Sequence, residues 1–182
     1  EHTLSLIFSM SRKIPQATAS MKSGKWEKKR FMGRELYSKT LGIIGLGNIG
    51  RIVADRAQGL KMKVIAFDPF FSEEAAAKIG VELLPVEEVL RRADVVTCHT
   101  PLNDQTRGLV SHDQLEIMKP GVMLVNCARG GIYDEDALVQ GLETGKIGAL
   151  ALDVFVQEPP EPNHPLLMHE NVVATPHLGA ST

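Results

Sequence analysis

Three polar residues late in the chain stand where chemistry could be done. Arg129, Glu158 and His177 follow the short apolar runs Gly121 to Val125, Ile147 to Leu152 and Val172 to Ala174. A guanidinium at such a place suits bidentate capture of a carboxylate. The two glycines after Arg129 let the chain turn sharply. Imidazole is the usual group for shuttling a hydroxyl proton near neutral pH. Glu158 precedes two prolines, which hold its backbone extended. A carboxylate there could orient the His177 ring and favour its charged form. Together the three could grip a 2-hydroxy acid and move its hydroxyl proton. Singly, each has a plainer reading: Arg129 as the partner of a nearby acid, His177 as a structural histidine. The other five histidines carry less. His2, His112, His164 and His169 lie in polar surroundings and are expected to be exposed, and His99 ends an apolar run and reads as structural.

A second cluster precedes these. Gly45-Leu-Gly-Asn-Ile-Gly50 matches G-x-G-x-x-G, follows a short apolar run and opens a helical pattern. Gly45 permits a tight turn, Gly47 a close backbone approach, and Gly50 close packing of helix on strand. Amides near Asn48 and Ile49 would then point at a pyrophosphate, helped by the helix dipole. Asp68 lies at the end of the next apolar run. Its carboxylate could accept both ribose hydroxyls of an adenosine and would repel a 2′-phosphate, which favours NAD over NADP. The competing reading is a plain glycine turn, with Asp68 as a turn former before Pro69.

The elements that must carry these residues follow from periodicity. Residues 3 to 23 read as a helix, or a kinked pair broken at Pro15, and Gly24 to Gly33 as a loop. Strands are expected at 39–45, 62–67, 94–98, 121–125, 147–152 and 172–174. Helices are expected at 49–59, with Ile49, Ile52, Val53, Ala57 and Leu60 on one face, and at 72–79, 85–92, 111–117 and 134–144, the last capped by Asp134. Such alternation predicts an α/β fold, a doubly wound parallel sheet of the Rossmann type. Ligands of such sheets sit beyond the C-terminal strand ends. Gly45–Gly50, Asp68, Thr100-Pro101, Cys127–Arg129, Asp153 and His177 all fall there.

Bulk properties exclude other classes. A formal net charge of −2 gives no electrostatic case for nucleic acid or an anionic membrane. The short basic cluster Lys25 to Arg30 reads as a solvated turn or interface edge. Two distant cysteines, Cys98 and Cys127, suit a reducing compartment and make no disulfide framework. No apolar run approaches the roughly 20 residues of a membrane helix, and no secretory signal is visible, so a cytoplasmic location is expected. No His, Cys and carboxylate set has metal-ligand spacing, and no serine nucleophile elbow is present. The opening at Glu1 and the abrupt end at Thr182 suggest that residues 1–182 are one NAD-binding domain of a longer protein, with a substrate domain elsewhere.

The motifs together resemble a known family. Gly45-Leu-Gly-Asn-Ile-Gly, Cys-Ala-Arg129-Gly-Gly, Asp153-Val-Phe-x-x-Glu158-Pro and Pro-His177-Leu-Gly-Ala-Ser-Thr are similar to those of the D-2-hydroxyacid dehydrogenases. Ile14-Pro-Gln-Ala, Gly24-Lys-Trp-Glu and Phe31-Met-Gly resemble the 3-phosphoglycerate dehydrogenase branch. The resemblance implies that Arg129 binds the substrate carboxylate or carbonyl, with His177 as general acid/base and Glu158 as its partner. It implies that Asp153 contacts the nicotinamide carboxamide, while Thr100, Pro101, Cys127, Ala128, Gly179 and Ala180 line the cofactor cleft. The implied reaction is oxidation of 3-phosphoglycerate to 3-phosphohydroxypyruvate with NAD, in L-serine synthesis. It further implies a homodimer or higher homo-oligomer joined through residues 1–35. Asn48 departs from the pattern, since many relatives carry arginine there. Two other readings fit the same motifs: a reductase of glyoxylate, hydroxypyruvate or D-lactate, and a nucleotide-sensing interaction domain like the corepressors of this fold.

Overall fold

The computed structural model describes residues 1–181. Seven parallel strands form one sheet in the order β3-β2-β1-β4-β5-β6-β7. The strands are β1 (Thr40–Ile44), β2 (Lys63–Phe67), β3 (Glu82–Leu83), β4 (Val95–Cys98), β5 (Val122–Asn126), β6 (Ile147–Leu152) and β7 (Val172–Ala174). The helices are α1 (His2–Ser11), α2 (Ile14–Lys22), α3 (Asn48–Gly59), α4 (Glu73–Lys78), α5 (Val86–Arg92), α6 (His112–Ile117), α7 (Glu135–Glu143) and α8 (Pro165–Met168). Strands β4 and β5 are buried along their whole length, as a sheet covered on both faces requires. One core gathers Leu6, Ile7, Val53, Ala57 and Ala76 from α1, α3 and α4 against one face of the sheet. The other gathers Leu90, Leu115 and Leu138 from α5, α6 and α7 against the opposite face.

The doubly wound parallel sheet is as expected, and local details differ. The first helical region is a pair, but the break falls at Arg12 and left-handed Lys13 rather than at Pro15. Pro15 sits in the first turn of α2, where its missing N–H needs no partner. The buried face of α3 is Gly50, Val53, Ala54 and Ala57. Ile49 and Ile52 point outward instead, because Gly50 sets the inward face at the start of the helix. Two short elements, β3 and α8, carry too few residues for periodicity to reveal. The Asp134 cap is present, its Oδ1 accepting from Ala137 N at 2.9 Å. No helix among the described residues is long and apolar enough to cross a membrane.

Candidate active site

The two clusters meet the sheet at different strand ends. β1 and β4 are neighbours although five elements separate them in sequence, so a crevice opens beyond their C-terminal ends. It is a cleft of about 570 Å³ lined by Gly45, Gly47, Asp68, Phe70, Thr100 and Pro101, among others.

The three motif glycines do distinct work there. Gly45 has φ +98°, and a Cβ on it would lie 2.6 Å from the His99 carbonyl oxygen. A Cβ on Gly50 would lie 2.0 Å from the Gly45 carbonyl oxygen, so only glycine lets α3 start this close to the turn. A Cβ on Gly47 would meet nothing within 4 Å. Its own fold does not need Gly47 bare, but an approaching ligand would. No side chain caps α3, so its first-turn amides keep their capacity for an anion. Asp68 is pinned at the rim, Oδ2 accepting from Leu46 N at 2.7 Å and Oδ1 from Phe70 N at 2.8 Å. Thr100 Oγ1 is buried with no hydrogen-bond partner. An orphaned hydroxyl beside open glycine backbone calls for a polar ligand atom. These residues fit a dinucleotide. Asn48 turns its amide oxygen to Arg51 Nη2 at 2.9 Å, so its side chain is engaged within the helix.

Arg129, Glu158 and His177 follow β5, β6 and β7, three adjacent strands. Asn126 shapes the first loop: its Oδ1 accepts from Ala128 N at 3.0 Å and its Nδ2 donates to Arg129 O at 2.9 Å. Gly130 packs against the next loop, where a Cβ would lie 1.9 Å from the Phe155 carbonyl oxygen. The exposed Arg129 side chain donates only to Ala128 O among the described residues, at 2.6 Å. Among the described residues no acid claims its fork.

His177 Nδ1 lies 2.7 Å from Glu158 Oε2. Glu158 Oε1 accepts from Phe155 N at 3.1 Å, so the carboxylate is held at both oxygens. The hydrogen bond from His177 outweighs the cost of burial and, with a lesser contribution from Phe155 N–H, keeps the Glu158 carboxyl below its ordinary range. A carboxylate at Nδ1 sets the tautomer and leaves Nε2 for a substrate.

Asp153 is buried at the end of β6. Burial pushes its carboxyl up, but hydrogen bonds from Thr175, Leu178 and Gly179 outweigh that and leave it lowered. Oδ1 accepts from Thr175 Oγ1 at 2.6 Å and Leu178 N at 2.7 Å, and Oδ2 from Gly179 N at 2.8 Å. Besides any nicotinamide contact, this residue anchors the loop that carries His177. Cys127 is half-buried, and burial pushes its thiol up to about 11, so it stays a neutral group. Ala128 is buried beside it, while Gly179 and Ala180 are exposed on the loop after β7. Thr182, which ends the last motif, lies outside the described residues.

The expected exposure of four histidines holds for His112 alone. His2, His164 and His169 are half-buried, because α1 and α8 fold their ends over polar partners. His2 meets Thr175 and Asp153, His164 Nε2 meets Glu135 at 3.2 Å, and His169 Nδ1 accepts from Asn171 N at 3.1 Å. His99 is packed as a structural group, its Nε2 3.1 Å from Thr97 Oγ1. Sequence reasoning also passed over Asn126, for which an asparagine at a strand end before a glycine turn was the available signal. His2 and Thr175 had none, being 173 residues apart.

Known proteins share this arrangement. Residues 4–179 match the model of the D-isomer specific 2-hydroxyacid dehydrogenase, NAD binding domain. Over 182 residues the chain is 52% identical to D-3-phosphoglycerate dehydrogenase of Archaeoglobus fulgidus and 54% identical to that of Homo sapiens. All of this chain is covered in both, against 34% of each relative, so it spans about a third of their length. A solved D-lactate dehydrogenase from Aquifex aeolicus, complexed with NAD and lactic acid, superposes with a TM-score of 0.89 at 30% identity, covering 100% of this chain and 59% of that one. The chain therefore belongs to the D-isomer specific 2-hydroxyacid dehydrogenase family, within its NAD-binding domain.

Proposed function

We propose that this chain is the NAD-binding half of an enzyme that oxidises 3-phosphoglycerate to 3-phosphohydroxypyruvate, the entry to L-serine synthesis. The observation that carries the reading is the Glu158–His177 pair, 2.7 Å long, beside a loop whose arginine has no acidic partner among the described residues. Identity of 52–54% to proteins named for that reaction supports this substrate over lactate, since the solved D-lactate dehydrogenase shares 30%. NAD, when bound, supplies the two-electron acceptor. Arg129 holds the substrate carboxylate or carbonyl and so fixes C2. His177 Nε2 takes the C2 hydroxyl proton, and the imidazolium that forms keeps its Nδ1–H on Glu158. Asp68 favours NAD over its 2′-phosphorylated form by repulsion. Gly179, Ala180, Cys127 and Pro101 wall the cleft.

His177→Ala in the full-length protein tests the reading, assayed against a panel of 2-hydroxy acids with NAD affinity measured by calorimetry. A fall in kcat of roughly 10²-fold or more at unchanged NAD affinity is expected for loss of a general base. Unchanged turnover would overturn the assignment, and a preference for lactate or glyoxylate would move the substrate.

The substrate domain is a separate part of the protein, so this chain alone should bind NAD without turnover. Two copies associate through residues 1–35, where Ile14, Met21, Trp26 and Met32 are 49%, 54%, 79% and 80% exposed. Large apolar side chains grouped this way mark an association surface. Light scattering should give the mass of a dimer; a monomer with all four residues intact refutes it.

A further inference from the structure

The loop after β7 depends on very little. Its residues 176–180 are exposed, and no strand pairs with them. His177 adopts φ +54°, a left-handed conformation unfavourable for a residue with a Cβ. What holds this turn is Asp153: its carbonyl accepts from His177 N at 2.9 Å, and its carboxylate accepts from the Leu178 and Gly179 amides. Glu158 sets the His177 ring, but the backbone that carries the ring to Glu158 rests on where Asp153 stands.

That carboxylate is itself braced from the far end of the chain. His2, in the first turn of α1, places Nε2 3.1 Å from Asp153 Oδ1 and 3.0 Å from Thr175 Oγ1. The proton on this nitrogen can be assigned. Thr175 has one hydroxyl hydrogen, and Asp153 Oδ1 at 2.6 Å takes it. A bare Nε2 would then face only lone pairs, so Nε2 carries a hydrogen and donates. The Asp153 side chain is wholly buried and that of His2 is 23% exposed, so the bond is largely shielded from water.

We propose that His2 is a positioning residue for His177: its Nε2–H, shared between Thr175 and Asp153, fixes the carboxylate from which the 177–179 turn hangs. The inference rests on the reading of His177 as the proton-transfer group, but the brace itself is independent of that reading. His2 touches neither substrate nor cofactor in this scheme and acts only through Asp153 and Thr175.

The test uses the full-length protein with His2→Phe, which keeps a ring and removes the donor, and His2→Gln, whose amide can reach the same acceptors. His2→Leu replaces the phenylalanine variant if that one fails to fold. Amide hydrogen exchange without cofactor reads the brace directly. Leu178 and Gly179 should exchange about tenfold faster in His2→Phe, the scale of one lost hydrogen bond, while sheet amides keep their rates. His2→Gln should restore most of the protection. In steady state, kcat should fall about tenfold with KM for substrate changed less than twofold, again the size of one hydrogen bond. Unchanged exchange at 178 and 179 would overturn the proposal, as would a uniform rise across the sheet, a glutamine variant no better than phenylalanine, or loosened amides with kcat intact. If His177→Ala keeps full activity while His2→Phe loosens the turn, the catalytic reading fails and the brace survives. If His177→Ala is inactive and the turn stays protected in His2→Phe, the brace fails alone.

Discussion

Glu158 is caught between two donors, and this decides what a substitution there would do. Phe155 N–H needs an acceptor at Oε1, and His177 Nδ1 meets Oε2. In Glu158→Gln the amide oxygen would stay with Phe155, because the alternative sets N–H against N–H. The new NH₂ would then face His177 Nδ1 and require a lone pair on it. That moves the imidazole hydrogen to Nε2, where a general base needs its lone pair. The wrong tautomer should lower kcat by roughly 10²-fold or more while leaving NAD affinity alone. Stopped-flow measurement of NADH formation in the full-length protein checks this. A loss of under threefold would mean that Glu158 does not set the tautomer. The same logic explains why Arg129 could be read from sequence and Asp153 only in part. Arg129 announces itself by type and by the glycines after it. The loop-holding role of Asp153 depends on amides 25 and 26 residues away, which no local pattern encodes.

At the scale of elements, the glycine turn and α3 separate folding from binding. Gly50→Ala puts a Cβ 2.0 Å from the Gly45 carbonyl, and backbone cannot yield there cheaply. Gly47→Ala meets open space, so its Cβ obstructs only what enters the cleft. Thermal melts should therefore show Gly50→Ala destabilised by about 1–3 kcal/mol, the range for overpacking. Gly47→Ala should melt within about 0.5 kcal/mol of the parent, as benign surface changes do, yet bind NAD at least tenfold more weakly. Equal melting of both variants would undo the division of roles. The sheet itself was legible because buried parallel strands read as unbroken apolar runs, as in Val122 to Val125 of β5. The inward face of α3 was misread because Ile49 and Ile52 weigh more in a periodicity than Gly50, the residue that orients the helix. β3 and α8 are held by their neighbours rather than by their own pattern, and so they left no signal. The three site strands being adjacent is a consequence of strand order, which emerges only when the crossovers are placed.

For the molecule as a whole, acid stability turns on one half-buried base. His99 follows β4 at the floor of the cleft, and burial pushes its pKa down from 6.5 to about 4. The folded state keeps this ring neutral, whereas the unfolded chain takes up a proton below pH 6.5. Stability is then fully present above pH 6.5 and falls as pH drops from 6.5 towards 4, where the folded ring also charges. The slope should approach about 1.4 kcal/mol per pH unit, or about 3 kcal/mol across the window. The carboxylates act in a lower window. Asp94 and Asp153 lie below their ordinary 3.8, and Glu158 below 4.5, so each contributes stability above those values and loses it only as pH falls further. The two windows can therefore be separated in one titration. Urea unfolding of the cofactor-free protein between pH 4 and 7 should show the upper slope in the parent and its loss in His99→Gln. The glutamine can keep a bond to Thr97 but cannot titrate. Parallel pH profiles for the two proteins would show that His99 is not the group responsible, because nothing else about the substitution removes a proton from the balance.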